Sequence, residues 1–246
     1  MKTESDIQIE KRLSELARKS DFNQIATFTG FMGMAEMAVF YEMEQELSYV
    51  PYKIWGGYEE SERVVIRFGK EWEFPISCIQ ISPLQKKFSE DLTHRDFLGA
   101  LMNLGIERST VGDILIEEKT GYVFCLNNMA EYMIENLNRI RHTSVQCSIC
   151  EELPAITVKE PKQMMIQLAS ERLDGIVAKV YHMSRNESLE LFRQQRVFCN
   201  GRICENNSKM IKAGDKITVR GYGKFAYEGS QGLSKKGKNN VRVLLW

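Results

Sequence analysis

Asp113-Ile114-Leu115-Ile116-Glu117-Glu118-Lys119-Thr120-Gly121-Tyr122-Val123-Phe124-Cys125-Leu126 is the stretch on which the fold turns. Two apolar runs, rich in β-branched and aromatic residues, flank a short polar segment. They predict strands at Asp113 to Ile116 and Tyr122 to Leu126, joined by a turn at Lys119-Thr120-Gly121. Upstream, Phe97, Leu98, Leu101 and Leu104 fall at helical spacing. Thr93 is placed to cap that helix, with Asp96 three residues on and Gly105 as the stop. Downstream, Asn128 opens a second helix with Met129, Met133, Ile134 and Leu137. One element further out, Ile76 to Ile81 and Val145 to Ile149 read as strands. The order β-α-β-β-α-β is the split βαβ, or ferredoxin-like, arrangement.

RNA-recognition domains share that arrangement and stack bases on sheet aromatics. Gly121-Tyr122-Val123-Phe124 is a loose match to their signature, but Ile76 to Ile81 carries no aromatic. A structural role is expected for this middle domain, set at residues 71–153. Residues 1–70 read as a helical N-terminal domain. Ile9, Leu13, Leu16 and Ala17 recur at helical spacing, and Met32 to Leu47 is rich in Met, Ala and Glu. Phe28, Phe31, Met32, Met34 and Met37 are expected as core, or as cover for the neighbouring domain. Val64-Val65-Ile66-Arg67-Phe68 looks like a strand added to the edge of the middle domain. Pro154 and Pro161 mark a linker at 154–171, ahead of a last module at 172–246. The fold class is therefore α+β: a helical N-terminal segment, a ferredoxin/RRM-like middle domain and a small α+β C-terminal module.

The 33 basic and 33 acidic residues cancel, but they are segregated along the chain. Residues 172–246 hold 15 Lys and Arg against 6 Asp and Glu, whereas residues 1–171 hold 18 against 27. A module this basic has the electrostatic footprint of a polyanion binder. No apolar run approaches the ~20 residues of a spanning helix. Met1-Lys2-Thr3-Glu4-Ser5-Asp6 lacks a signal peptide's apolar stretch, so no membrane and a cytoplasmic location are expected. Cys78, Cys125, Cys147, Cys150, Cys199 and Cys204 lie mostly in apolar stretches and read as small buried hydrophobes. Cys147-Ser148-Ile149-Cys150 is half of a zinc signature whose only complement, Cys199 and Cys204, is wider and in another segment. No metal and no cofactor are expected.

In the basic module, Leu173, Ile176, Val177 and Val180 make one face of a helix. Ser184-Arg185-Asn186-Glu187 is a capping box opening a second helix, with Leu189 and Phe192 inward and Arg193 outward. Val197-Phe198-Cys199 is a strand, and Asn200-Gly201 is the pair a type I′ turn demands. Gly214-Asp215 turns into Lys216-Ile217-Thr218-Val219-Arg220, with Ile217 and Val219 inward. Two short helices on a small sheet are expected, with Arg172, Arg185, Arg193, Arg196, Arg202, Lys209, Arg220 and Lys224 along a common face. Guanidinium groups there suit bidentate contact with phosphate. Ser234-Lys235-Lys236-Gly237-Lys238-Asn239-Asn240 reads as a basic loop.

Arg172-Leu173-Asp174, Ser184-Arg185, Arg196-Val197 through Asn200-Gly201, and Gly214-Asp215-Lys216-Ile217, in that order, resemble the S-four RNA-binding domain. That domain occurs in pseudouridine synthases, tyrosyl-tRNA synthetases, ribosomal RNA methyltransferases and ribosome-rescue heat-shock proteins. The resemblance implies that Arg172, Arg185, Arg193 and Arg196 contact folded RNA, with Asn200 and Lys209 behind them. Gln195 departs from it, standing where many members have Gly. A retained φ > 0 would cost on the order of 1 kcal/mol there.

Thr93-His94-Arg95-Asp96-Phe97-Leu98-Gly99-Ala100-Leu101, with Leu104 to Arg108, Gly112-Asp113-Ile114 and Arg220 to Phe225, resembles the bacterial YlmH family. That resemblance covers nearly the whole chain. It implies the large ribosomal subunit and its rRNA as partners, peptidyl-tRNA with them, and a role in quality control of stalled nascent chains. A monomer is expected.

Catalytic readings find little support. His94-Arg95-Asp96 matches the kinase catalytic triplet, but no glycine loop, strand lysine or Asp-Phe-Gly accompanies it. His94, His142 and His182 have no evident nucleophile partner. A pseudouridine synthase is the enzyme alternative, yet residues 1–171 are too few for its catalytic domain. A cell-division scaffold is the remaining alternative.

Overall fold

The computed structural model describes residues 3–152, 161–234 and 237–246, and the backbone alone of Phe88. The chain divides into two compact units, Met1–Ile156 and Thr157–Trp246.

Unit one opens with α1 (Glu4–Asn23), whose N-terminal donors are satisfied by a capping box between Thr3 and Asp6. Leu13, Leu16 and Ala17 are buried, as their spacing requires. There follow β1 (Thr27–Phe28), α2 (Met34–Met43), β2 (Tyr52–Trp55) and β3 (Val65–Phe68). The three strands form an antiparallel sheet in the order β1-β3-β2. The N-terminal part is thus not helical alone, and the segment expected at an edge of the middle domain is the centre of a separate sheet. Burial explains why. All four residues of β3 are inside, Ile66 and Phe68 against Leu13 and Phe40, and Val65 against Phe31 and Phe124. A strand covered on both faces reads as a continuous apolar run, whichever sheet it joins.

The middle sheet comprises β4 (Ile76–Pro83), α3 (His94–Asn103), β5 (Val111–Glu117), β6 (Thr120–Leu126), α4 (Asn127–Asn136), β7 (Arg139–Ile140) and β8 (Thr143–Ile149). Its order is β5-β6-β4-β8-β7, with all neighbours antiparallel, which is the split βαβ plus a short extra edge. Glu117 pairs with Thr120 and Glu118 takes φ 51°, so the hairpin turn is Glu118-Lys119, earlier than expected. Strand alternation sends Ile79, Ile81, Val123 and Cys125 toward Phe97, Leu101 and Met133 on the helices. Cys78, Phe124 and Leu126 point the other way, against Phe31 and Val65.

Phe124 is 2% exposed, and Tyr58 stacks on it at 5.1 Å between ring centroids. At Gly57 (φ 109°) a Cβ would run into the Phe124 ring. The face on which an RNA-recognition domain stacks bases is therefore sealed by the chain's own N-terminal part. Arg63 locks the two parts together, donating to the carbonyls of Phe31 (2.8 Å), Val111 (3.0 Å) and Arg108 (3.1 Å). Asp113 accepts from the Tyr58 hydroxyl and from the N–H groups of Glu62 and Arg63.

Unit two contains β9 (Lys162–Leu168), α5 (Leu173–Val180), α6 (Arg185–Arg193), β10 (Val197–Cys199), β11 (Arg202–Ile203), β12 (Lys216–Val219), β13 (Gly223–Leu233) and β14 (Asn239–Leu245). They make one antiparallel sheet, β11-β10-β12-β13-β14-β9, larger than expected. β9 lies in the stretch read as a linker. It pairs along its whole length with β14, and Ile166 and Leu168 enter the core with Val241 and Val243. Residues 154–160 of that linker, and Lys235 and Lys236 of the basic loop, lie outside the described residues.

α5 buries Leu173, Ile176, Val177 and Val180, and the Ser184–Glu187 capping box closes the start of α6 at 3.2 and 2.7 Å. α6 turns Ser188, Leu191 and Phe192 inward, leaving Leu189 only half-buried, contrary to expectation. Asn200 and Gly201 adopt φ 50° and 77°, both left-handed, as a type I′ turn requires. Gln195 also keeps the left-handed conformation, φ 53°, with its N–H on the Phe192 carbonyl at 3.0 Å. Its side chain reaches Glu205 at the surface (3.0 Å), which offsets little of the strain. Gln195→Gly is therefore expected to stabilise unit two by about 0.5–1 kcal/mol. Thermal unfolding of the two proteins measures this, and an unchanged or lower Tm would refute it.

Candidate nucleic-acid interface

The first turn of α5 and the start of α6 meet at one carboxylate. Asp174 is 0% exposed. Its oxygens accept from Arg172 Nη2 (2.9 Å) and Nε (3.2 Å), from Arg185 Nη2 (3.2 Å) and Nε (3.3 Å), and from the Gly175 N–H (2.8 Å). Its carbonyl accepts the Ser188 hydroxyl at 2.8 Å, tying the two helices together. Burial by itself would push this carboxyl up. The bonds from Arg172, Arg185 and Gly175 outweigh it and hold the group below the usual carboxylate range. The arginine side chains remain 36% and 60% exposed. They are aimed by the carboxylate yet still present donors to solvent.

Beside this cluster runs a groove of about 580 Å³, between the end of β9 and α5. Arg185, Lys179, His182 and Lys238 line it, with Asp174 at its wall. Among the described residues, Lys179 and Lys238 meet no carboxylate within ion-pair distance. The groove is thus positive, walled by a carboxylate already engaged with its neighbours.

The other expected site residues are not gathered there. α6 carries Arg193 to its far end, about 12 Å along the axis from Arg185, where it pairs with Glu190 at 3.4 Å. Arg196 donates to the Arg220 carbonyl (2.6 Å) and lies over the Tyr222 ring at 5.9 Å. Arg220 covers Phe198 at 4.6 Å, and Lys224 covers Trp246 at 5.4 Å. Burial pulls the Lys224 ammonium below its ordinary value. Arg202 sits on the short edge strand β11, opposite Cys199.

The polar ends of Asn200 and Lys209 are engaged within the unit, although Lys209 stays exposed. The Asn200 amide donates to Asp215 at 2.8 Å and accepts the Lys216 N–H at 2.9 Å, which fixes the turn. Lys209 Nζ donates to Cys199 Sγ at 3.3 Å. By their partners the expected site residues thus divide into an arginine pair on Asp174, cations on aromatic rings (Arg196, Arg220 and Lys224), Arg193 paired with Glu190, Arg202 on the edge strand, and Asn200 and Lys209 at the turn. Lys179, His182 and Lys238 are the lining residues that sequence reasoning left out of the site. The basic run at 234–240 was the one signal for Lys238, whereas Lys179 and His182 had none beyond their charge and exposure.

Among the described residues, no helix is long and apolar enough to cross a membrane, and no three His, Cys, Asp or Glu side chains are grouped to hold a metal ion. Residues 70–152 match the family described as "Putative RNA-binding domain in YlmH". The chain is 28% identical over 196 residues, 76% of its length and 74% of the relative's, to ribosome-associated protein quality control protein P2 of Bacillus subtilis (strain 168). A 75-residue stretch is 32% identical to an uncharacterized RNA pseudouridine synthase of Aquifex aeolicus (strain VF5), covering 30% of this chain and 27% of that protein. The solved structure of cell division protein ylmH from Streptococcus pneumoniae is similar at 23% identity and a TM-score of 0.49, over 61% of this chain and 93% of that one. Residues 70–152 thus match the YlmH RNA-binding domain, and the chain is similar along about three quarters of its length to a ribosome-associated quality-control protein.

Proposed function

We propose that this protein is a non-catalytic RNA-binding protein of the ribosome, acting in the quality control of stalled nascent chains. Its unit two is read as an S-four-type module that docks on structured RNA of the large subunit and on peptidyl-tRNA, which places it in the cytoplasm. The observation that carries this reading is the positive groove lined by Arg185, Lys179 and Lys238, at whose wall the buried Asp174 carboxylate orients both Arg172 and Arg185. Oriented guanidinium groups are suited to bidentate phosphate contact, and the two lysines add charge without fixed direction. The B. subtilis relative's name supports the ribosomal setting. The match to a pseudouridine synthase is confined to 27% of that enzyme. The groove's own carboxylate, Asp174, is saturated by five hydrogen bonds and is poorly placed to serve as nucleophile or base.

The test is co-sedimentation with large ribosomal subunits across a salt series. About 5–6 phosphate contacts give a log–log slope near −4 to −5, so affinity should fall by roughly 10²–10³ between 50 and 200 mM salt. A flat salt dependence would point instead to protein-mediated docking, as for a cell-division scaffold.

A further inference from the structure

Unit one carries an excess of acidic residues, 25 against 16 over residues 1–156, and its sheet aromatics are sealed from solvent. An RNA contact by the domain at 70–152 therefore has to come from another surface. A groove of about 400 Å³ lies between α3, the end of α4 and the β7–β8 hairpin. Against the acidic background it is lined by Arg95, Arg139 and Arg141 and by Asn103, Asn136 and Asn138. Asp96 is the one carboxylate on its wall, and it is occupied: it accepts the Thr93 N–H (2.8 Å) and hydroxyl (2.7 Å) and pairs with Arg141 at 3.7 Å. Arg141 also meets Glu90 at 3.7 Å.

Arg95 and Arg139, by contrast, meet no carboxylate within 4 Å among the described residues. Arg139 is held by its Nε on the Arg141 carbonyl (3.0 Å), and the two-residue turn after β7 fixes Arg141 at φ 52°. The Asn136 amide donates to the Tyr132 carbonyl (2.8 Å), and the Tyr132 hydroxyl in turn donates to Leu104 (3.1 Å). Asn103 and Asn138 are exposed, and among the described residues no hydrogen bond takes up their side-chain amides. Gly99, in mid-helix, leaves the floor open: a Cβ there meets nothing within 4 Å.

We propose that this groove is a second RNA site, separate from unit two, that takes one unpaired nucleotide of RNA. Arg95 and Arg139 meet its phosphodiester, and the three asparagine amides meet its base edge and 2′-hydroxyl. Carboxamides offer a donor and an acceptor together, which matches base edges and 2′-hydroxyls. An acidic peptide would use the arginines but leave the amides without a role. No aromatic residue lines the groove, so the site reads edges and backbone and does not stack bases. The volume is within the range of single-ligand sites.

The test uses the full chain and a single-stranded 12-nucleotide RNA containing 4-thiouridine, crosslinked by light and mapped by peptide mass spectrometry. Crosslinks are expected in segments 94–104 and 136–142, in addition to any in unit two. Arg95→Ala with Arg139→Ala should remove the first set and weaken binding about 10-fold. The salt slope should also shrink by about 0.7, one phosphate at the single-strand coefficient.

Gly99→Glu keeps a good helix former in open space and sets a carboxylate one turn from Arg95, so it should block the groove without unfolding α3. Crosslinks confined to unit two, or wild-type affinity in Gly99→Glu, would overturn the proposal. Loss of crosslinks in unit two alone would instead count against the groove beside Asp174, so the two sites are judged separately.

Discussion

Asp174→Asn should destabilise unit two by about 2 kcal/mol at neutral pH, lowering its Tm by on the order of 10 °C for a unit of about 90 residues. The amide keeps the shape of the carboxylate but supplies one acceptor oxygen where two now serve five donors. It also turns an N–H₂ group toward a guanidinium. Hydrogen bonds to charged groups are worth about 1.5–3 kcal/mol, and breaking a fully buried ion pair costs about 3–5. The lower range applies because both arginines reach water, which takes over part of their solvation.

The pH dependence has a definite sign. Asp174 is held below its unfolded value, so its stabilisation is complete above the ordinary carboxylate range near ~4 and is lost as pH falls through the folded value. Wild type and Asp174→Asn should therefore converge in acid. Thermal unfolding at pH 7 and near pH 2 measures this, and a gap undiminished at low pH would mean the charge of Asp174 contributes nothing. RNA affinity should also fall several-fold in this variant although its net charge rises by one. A rise in affinity would show that charge alone, not the aiming of Arg172 and Arg185, governs binding.

Lys179→Glu with Lys238→Glu should reduce RNA affinity about 100-fold at 0.1 M salt and leave Tm nearly unchanged. Each phosphate contact contributes roughly 1 kcal/mol at that salt through counterion release, and reversal adds repulsion to the loss. A tenfold change corresponds to about 1.4 kcal/mol. Both lysines line the groove, and neither is ion-paired among the described residues, so removing them breaks no internal pair. Binding curves and melting curves of the same preparations separate the two effects. An affinity within threefold of wild type would move the RNA site away from this groove, toward the rings beneath Arg196 and Arg220.

Signals whose partners lie within a few residues were legible in the chain. The capping boxes at Thr93–Asp96 and Ser184–Glu187, the left-handed pair Asn200-Gly201 and the buried faces of α3 and α5 follow from backbone geometry and short-range periodicity. The split βαβ order was legible too, since each element carries its own pattern. β9 also showed its period of two, with Met164, Ile166 and Leu168 turned in and Met165 and Gln167 turned out. It was taken for linker because its partner, β14, lies far along the chain, and pairing of that kind leaves no local mark.

What the sequence by itself determined is the order of the middle domain's elements, the two helices of unit two and the sign of that unit's charge: propensity, capping and charge are properties of residues and their near neighbours. The tertiary structure alone decided that β3 centres a separate sheet, that Phe124 is hidden from any base, and that Arg172 and Arg185 share one carboxylate while the Asn200 amide is spent on Asp215 and Lys216. A side chain's direction is set by what packs against it, and in each of these cases that partner comes from another element.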